Sequence, residues 1–215
     1  ANSYSLHGLV EAAGGEAVLY GIGPDEPAKL RALLERGLAE CDVLISSGSV
    51  SKGDFDYVKD LIPKMGVDVR FHGINIRPGA PVLFGSKGDA LFFGLPGNPV
   101  STMVTFLQLV RPALMQRLGH AHLSLHTLRL PAAQRIAKGD GKRHFMRGRL
   151  VPDERGGLAV ALTGDQGSQL LHSMGRADCF VVVEEDRERI EPGELVQVEL
   201  LDGATWSGIA ATAGH

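Results

Sequence analysis

Three loops of the sequence carry residues suited to receiving an oxyanion. The stretch "SSGSVSKGDFD" (46–56) mixes Ser47, Ser49 and Ser51 with Gly48 and Gly53, so short hydroxyls lie beside backbone free to approach a phosphate. Asp54 and Asp56 follow at once. Two carboxylates beside a phosphate repel it unless a hard cation lies between them, so the pattern predicts Mg²⁺ held by a carboxylate and substrate oxygens. In "LFFGLPGNPVS" (91–101) a strand-like apolar run is cut by Pro96-Gly97-Asn98-Pro99 and resumes as a helix. Pro99 suits the first helical position, Gly97 lets a ligand approach the backbone, and amides at a helix start attract anions. The third loop, "GPDEP" (23–27), holds Asp25. Taken singly, each loop is also an ordinary connector, with Asp25 or Asp54 a helix cap.

The elements around these loops alternate. Leu6, Leu9, Val10 and Ala13 share a helical face, and Gly14-Gly15 ends that helix. "EAVLYGI" (16–22) reads as a strand, and Leu30, Leu33, Leu34 and Leu38 define a second helix. "CDVLIS" is a strand, "DFDYVKDLI" a short helix, "VDVRFHGINI" a strand, and "PVLFGSKGDALFFGL" a hairpin through Lys87-Gly88-Asp89. A helix over 99–118 closes the unit. Alternating helices and apolar strands predict an α/β layer with a largely parallel sheet, and all three loops fall where such sheets bind ligands, beyond the carboxyl ends of the strands.

Beyond "LGHAHLSLH" the runs become short and are separated by Gly, Pro and Asp. "HTLRL", "RHFMRGRLV", "LAVALT", "DCFVVVEE" and "ELVQVELL" predict a small, mostly antiparallel β-domain, with one brief helix at "SQLLHSM". Its basic stretch holds Arg135, Lys138, Lys142, Arg143, Arg147 and Arg149 against Asp140. As a strand, it places Arg143, Phe145, Arg147 and Arg149 on one face, which suits either a solvated edge or a nucleic-acid patch. Ser168 in "TGDQGSQLL" lies at a helix start. His120, His122 and His126 have metal-like spacing but no cysteine beside them, and read as a linker.

Composition narrows the classes. With 215 residues, 22% charged, and a net charge of −3, the chain has the balance of an ordinary globular protein with no bulk attraction to nucleic acid or membrane. Cys41 and Cys179 lack redox or metal spacing, which predicts reduced thiols and a cytoplasmic location. The apolar stretch 100–118 is broken by Thr102, Gln108, Arg111 and Pro112 and reads as a core helix, and the N-terminus lacks the pattern of a signal peptide.

In this order, "SSGSVSKGDFDYVK", "RPGAP", "FGLPGNPVS", "RGRL", "TGDQGSQLL" and "GELVQVEL" resemble the molybdopterin molybdenumtransferase family, which includes bacterial MoeA and the E-domain of gephyrin. The resemblance implies a three-layer, MogA/MoaB-like molybdopterin-binding α/β domain over 1–121, a β-barrel domain over 122–205, and a tail over 206–215. It implies insertion of molybdate into adenylylated molybdopterin with release of AMP, Mg²⁺ as cofactor, and a homodimer. By position, Asp25 and Asp56 match acidic active-site residues, with Asp56 the metal ligand. Gly48, Ser49 and Ser51 match the loop facing the pterin phosphate, and Pro96 and Pro99 match the prolines that flank Gly97 and Asn98. Arg77, Ser101, Arg147 and Ser168 match the molybdate pocket, expected as a clamp across the domain boundary.

Three departures accompany the resemblance. The family's SGG is Gly48-Ser49 here, and its KPGKP is Arg77-Pro78-Gly79-Ala80-Pro81. Family members also carry about half their length before this point, including an acidic loop that ends a strand of the same α/β domain. A β-α-β unit needs a strand ahead of the first helix, so an unpaired sheet edge is expected, and the chain alone is expected to be an incomplete enzyme. A MogA-like adenylyltransferase and a gephyrin-like scaffold are the competing readings.

Overall fold

A computed structural model describes residues 2–48, 57–167 and 171–201. The chain divides into two compact units, Ala1–Ser124 and Leu125–His215. In the first, α1 (Asn2–Ala12) and α2 (Pro27–Glu40) form where apolar periodicity placed them. Pro27 opens α2, and its N-cap is Glu26 without a side-chain cap bond, so Asp25 is not the cap that the sequence suggested. Strand β1 (Val43–Ser47) leads to the 46–56 loop, whose residues 49–56 lie outside the described part together with Ser49, Ser51, Asp54 and Asp56. Then come α3 (Tyr57–Lys64), β2 (Asp68–His72), the two-residue β3 (Ile76–Arg77), β4 (Leu83–Lys87) and β5 (Ala90–Leu95).

The sheet runs β1-β5-β4-β2 and is mixed. Only β1 and β5 are parallel; β4 pairs antiparallel with both β5 and β2. The largely parallel sheet expected from the alternating pattern is therefore corrected. The hairpin β4–β5 reverses direction in place, where a parallel pair needs a crossover. Leu44 and Phe92 join Leu30, Leu34, Leu38, Val58 and Ile62 in one core.

"EAVLYGI" is a second correction. Residues 15–20 form no regular element, and Val18, Leu19 and Ile22 are 58%, 50% and 96% exposed. A strand exists only through its ladder, and no described backbone hydrogen bond joins this segment to β1.

The closing helix is continuous but not uniform: α4 (Pro99–Thr105), a π turn (Phe106–Val110) and α5 (Arg111–Arg117). The Arg111 amide donates to Phe106 O, one residue beyond the α spacing. Pro112 explains the widening, since its ring would collide with the carbonyl four residues back in a regular helix.

In the second unit, β6 (Thr127–Pro131), β7 (Ile136–Ala137), β8 (Arg143–Pro152), β9 (Leu158–Leu162), β10 (Cys179–Val183), β11 (Arg189–Ile190) and β12 (Leu195–Leu200) are the strands. The antiparallel order β9-β8-β10-β12-β6 encloses Met146, Val160, Val181, Ile190 and Val198, and a bridge from Ala132 to Val160 ties the end of β6 to β9. β8 is thus an inner strand and not a solvated edge. Phe145 is buried at 5% exposure, which removes it as a stacking platform for bases, and Arg143 pairs with Glu185 at 3.3 Å. Of "SQLLHSM", the described part is a single 3₁₀ turn, Leu171–Ser173. Cys179, the first residue of β10, is fully buried, and burial pushes its thiol up to about 12. Iodoacetamide at pH 8 is expected to leave Cys179 unmodified in the native protein and to label it once denaturant opens the unit, as followed by mass spectrometry.

Candidate functional site

The site is built where two loops meet beyond β1 and β5. Gly48, at φ +92°, continues β1 and its amide donates to Leu95 O at 3.0 Å. A Cβ on Gly97 would lie 3.4 Å from Gly48 Cα, in ordinary van der Waals contact, so the two backbones run side by side, and it is the positive φ of Gly48 that favours glycine there. Beneath the contact lies a polar knot. Thr102 Oγ1 lies 2.6 Å from Pro96 O and 3.0 Å from Asn98 O, and Ser47 Oγ donates to Pro96 O at 3.2 Å. Asn2, the first residue of α1, donates from Nδ2 to Ser47 Oγ and Gly97 O, both at 2.8 Å. The knot holds the 96–99 turn in one shape against the carboxyl end of β1. Replacing Thr102 by valine keeps the volume and removes the buried hydroxyl. It should cost about 1–3 kcal/mol in urea unfolding, since Pro96 O loses its shortest partner.

The turn at Arg77-Pro78-Gly79 packs on the same helix. Gly79 has φ +111°, and a Cβ there would lie 2.5 Å from Thr105 Cγ2 and 3.6 Å from Ser101 O. Ser101 is buried at 6% exposure, and its carbonyl accepts from Thr105 Oγ1 at 2.8 Å. The fold thus brings the Arg77 turn to the helix that carries Ser101, while the Arg77 side chain itself is exposed. Gly79→Ala adds both left-handed strain and a clash, and should destabilise the first unit by about 2–5 kcal/mol in chemical unfolding.

Five of the loop residues singled out from the sequence border one cleft of about 1690 Å³: Asp25, Ser47, Gly48, Gly97 and Pro99. Asp25 is exposed in the loop before α2. Among the described residues, no group of three or more His, Cys, Asp or Glu side chains could hold a metal ion, so the histidines of 120–126 do not form one. No helix among the described residues is long and apolar enough to cross a membrane.

In the second unit, Arg147 is 1% exposed. Its Nε reaches Ser173 Oγ at 3.0 Å, Nη1 reaches Gln166 O at 3.1 Å, and Nη2 reaches Asp165 O at 3.3 Å and Gly167 O at 3.0 Å. Gln166 closes the arrangement by accepting from the Arg147 amide at 2.8 Å and donating to its carbonyl at 3.2 Å. Burial lowers the pKa of the guanidinium, while the charge of Asp165 opposes that shift. The guanidinium fixes the backbone that leads into Ser168, which itself lies outside the described residues.

Sequence reasoning passed over Asn2, Thr102, Gln166 and Ser173. A signal existed for one of them: Thr102 is a hydroxyl inside an apolar helix, four residues after Asn98, where it can bond back to a carbonyl. His144, left unassigned from the sequence, is buried and lies 2.7 Å from Asp140 Oδ1.

Comparison with known proteins assigns both units. Residues 1–116 match the family described as "Probable molybdopterin binding domain", and residues 129–201 match "MoeA C-terminal region (domain IV)". The Molybdopterin molybdenumtransferase of Haemophilus influenzae is 35% identical over 200 residues, 92% of this chain and 49% of that protein. A Molybdenum cofactor biosynthesis protein from Pyrococcus furiosus aligns with a TM-score of 0.73 at 30% identity, over 93% of this chain and 64% of the other. The molybdopterin biosynthesis moeA protein from Pyrococcus horikoshii OT3 aligns with a TM-score of 0.72 at 28% identity, over 94% and 46%. The fold is thus α/β and MoeA-like, with mixed sheets. The chain spans about half the length of the curated relatives it matches.

Proposed function

The chain belongs to the molybdopterin molybdenumtransferase family, and from that premise we propose that its two units act in inserting molybdate into adenylylated molybdopterin, with release of AMP. The supporting observation is the meeting of Gly48 with the Pro96–Pro99 turn beside Asp25 in one cleft. Exposed backbone at a glycine contact, hydroxyls, and a carboxylate at the rim are what a phosphorylated pterin and a cation need. The match of the second unit to domain IV favours the insertase over a MogA-like adenylyltransferase.

Mg²⁺ fits the chemistry of the donor set, because carboxylates and phosphate oxygens are hard ligands. Asp56 would hold it, with the remaining positions filled by substrate and water. When bound, the ion supplies charge neutralisation at the phosphate. The chain's own part is to seat the phosphate at Gly48, Ser49 and Ser51, with Asp54 beside it, and to hold the turn Pro96-Gly97-Asn98-Pro99 rigid under it. Arg77 and Ser101 present a cation and a hydroxyl from one corner of the first unit, suited to molybdate. Arg147 enters through the loop it fixes ahead of Ser168.

In this reading the second unit is a small barrel, with the bridge of Ala132 to Val160 as its closure, and the protein works as a cytoplasmic homodimer. The test is AMP release from adenylylated molybdopterin by a protein that carries these units together with the relatives' remaining length. Release that depends on molybdate is expected. Release that is indifferent to molybdate would overturn the reading.

A further inference from the structure

The side-chain amide of Asn2 is held by partners that leave it a single orientation. Its Nδ2 lies 2.8 Å from both Ser47 Oγ and Gly97 O, with Thr102 Oγ1 at 3.3 Å. A backbone carbonyl only accepts, so the nitrogen of this amide, and not its oxygen, must face Gly97. An amide nitrogen does not accept, so the contact with Ser47 is a donation as well. Ser47 can receive it, because its own proton goes to Pro96 O at 3.2 Å. Both N–H bonds of Asn2 are therefore committed to the two loops that meet at Gly48 and Gly97.

The oxygen has no such task. Among the described residues, none donates to Asn2 Oδ1, whose bonds all run through Nδ2. A planar amide held through both hydrogens cannot turn, so Oδ1 is an acceptor kept in one place with its lone pairs open. Asn2 is half-buried and borders the cleft of about 1690 Å³, whose lining nearby includes Leu6 of α1, Ile45 of β1 and Pro99. In an apolar pocket the few fixed polar groups set a ligand's orientation.

A fixed acceptor selects among the parts of a ligand. Phosphate and molybdate oxygens carry negative charge and are repelled by Oδ1, so the anionic end belongs to the amides and hydroxyls of the loops. A heteroaromatic ring with N–H groups on its edge fits instead. Its faces rest on apolar side chains and its edge donates.

We propose that Asn2 is a specificity-determining residue of the first unit: Oδ1 accepts a hydrogen bond from a ring N–H of the bound substrate, while Nδ2 holds the Ser47 and Gly97 loops together. The choice of the pterin as that ring rests on the proposed function. Adenylylated molybdopterin has two rings with N–H groups, the pterin and the adenine. The loops that Asn2 ties together are those proposed to seat the pterin phosphate, so the pterin is the ring within its reach.

The test titrates the full chain with free pterin, adenosine and inorganic phosphate, each alone, followed by NMR. In the wild type, the side-chain carbonyl carbon of Asn2 should shift downfield as pterin binds and stay in place with phosphate. Two variants separate recognition from support of the turn. Asn2→Ala should lower the affinity for pterin relative to phosphate by about three- to tenfold, the size of one hydrogen bond. Thr102→Val loosens the same turn but keeps Oδ1, so it should weaken both ligands alike and leave their ratio within about twofold. An unmoved Asn2 carbon at the highest pterin concentration, or the same ratio in both variants, would overturn the proposal. A response to adenosine with none to pterin would do the same. AMP release that is indifferent to molybdate would sink the proposed reaction and leave these binding results standing.

Discussion

Arg147→Ala should lower the stability of the second unit by about 3–5 kcal/mol, since removing the one donor of a buried hydrogen-bond network leaves several neutral acceptors unsatisfied, each costing about 1–3 kcal/mol where it stays buried. Arg147 is 1% exposed and donates to Ser173 Oγ and to the carbonyls of Asp165, Gln166 and Gly167. Alanine leaves three carbonyls of one loop without their donor and opens a hole beside β8. The loop must then splay toward water to recover hydrogen bonds, and Ser168 moves with it. Arg147→Lys keeps the charge, but a single ammonium cannot span four acceptors placed for a planar fork, so it should recover less than half of the loss. Arg143→Ala is the control. Its partner Glu185 is half exposed, and an exposed pair contributes about 0–1 kcal/mol. Urea unfolding of the three variants decides the matter. A loss under about 1 kcal/mol for Arg147→Ala would show that the network is not what holds the loop.

Particular residues show where the sequence could be read and where it could not. α1 and α2 were legible because their apolar residues repeat at helical spacing. The hairpin β4–β5 was legible from Lys87-Gly88-Asp89, with Gly88 at φ +56°. "EAVLYGI" has the composition of a strand yet forms none, because composition records what a segment could bury and pairing depends on a neighbour. What stayed hidden was the pairing of β2, which runs antiparallel to β4 and so makes a mixed sheet where the alternation of helix and strand predicted a largely parallel one. At the site, the loops were visible because glycine, proline and short hydroxyls have local causes. The knot beneath them was not, since Asn2 and Thr102 are a hundred residues apart and only the fold makes them neighbours. Arg147 is the sharpest case. Its basic stretch suited a solvated edge strand, whereas β8 is an inner strand and the Arg147 side chain is buried among acceptors.

On the proposed role of Asp56 as the cation's ligand, Asp56→Asn should reduce AMP release on the order of a thousandfold in a protein carrying the relatives' full length, because it removes the charge proposed to hold the cation where phosphate negative charge must be met. Asparagine keeps the size of the side chain and one acceptor oxygen. What it loses is the anionic ligand that a hard cation requires. Two comparisons separate this from a structural effect. Asp54→Asn, two residues earlier, should cost at most about tenfold if that carboxylate only supports the loop. Raising Mg²⁺ should partly restore Asp56→Asn, because a weakened site fills at higher concentration, while the unfolding curve stays at the wild-type position. A Mg²⁺ response unchanged from wild type, with full activity, would remove Asp56 from the mechanism. The same measurement on Asp25→Asn then asks whether the exposed carboxylate at the cleft rim shares that work, and a comparable loss without any Mg²⁺ rescue would assign it to substrate positioning instead.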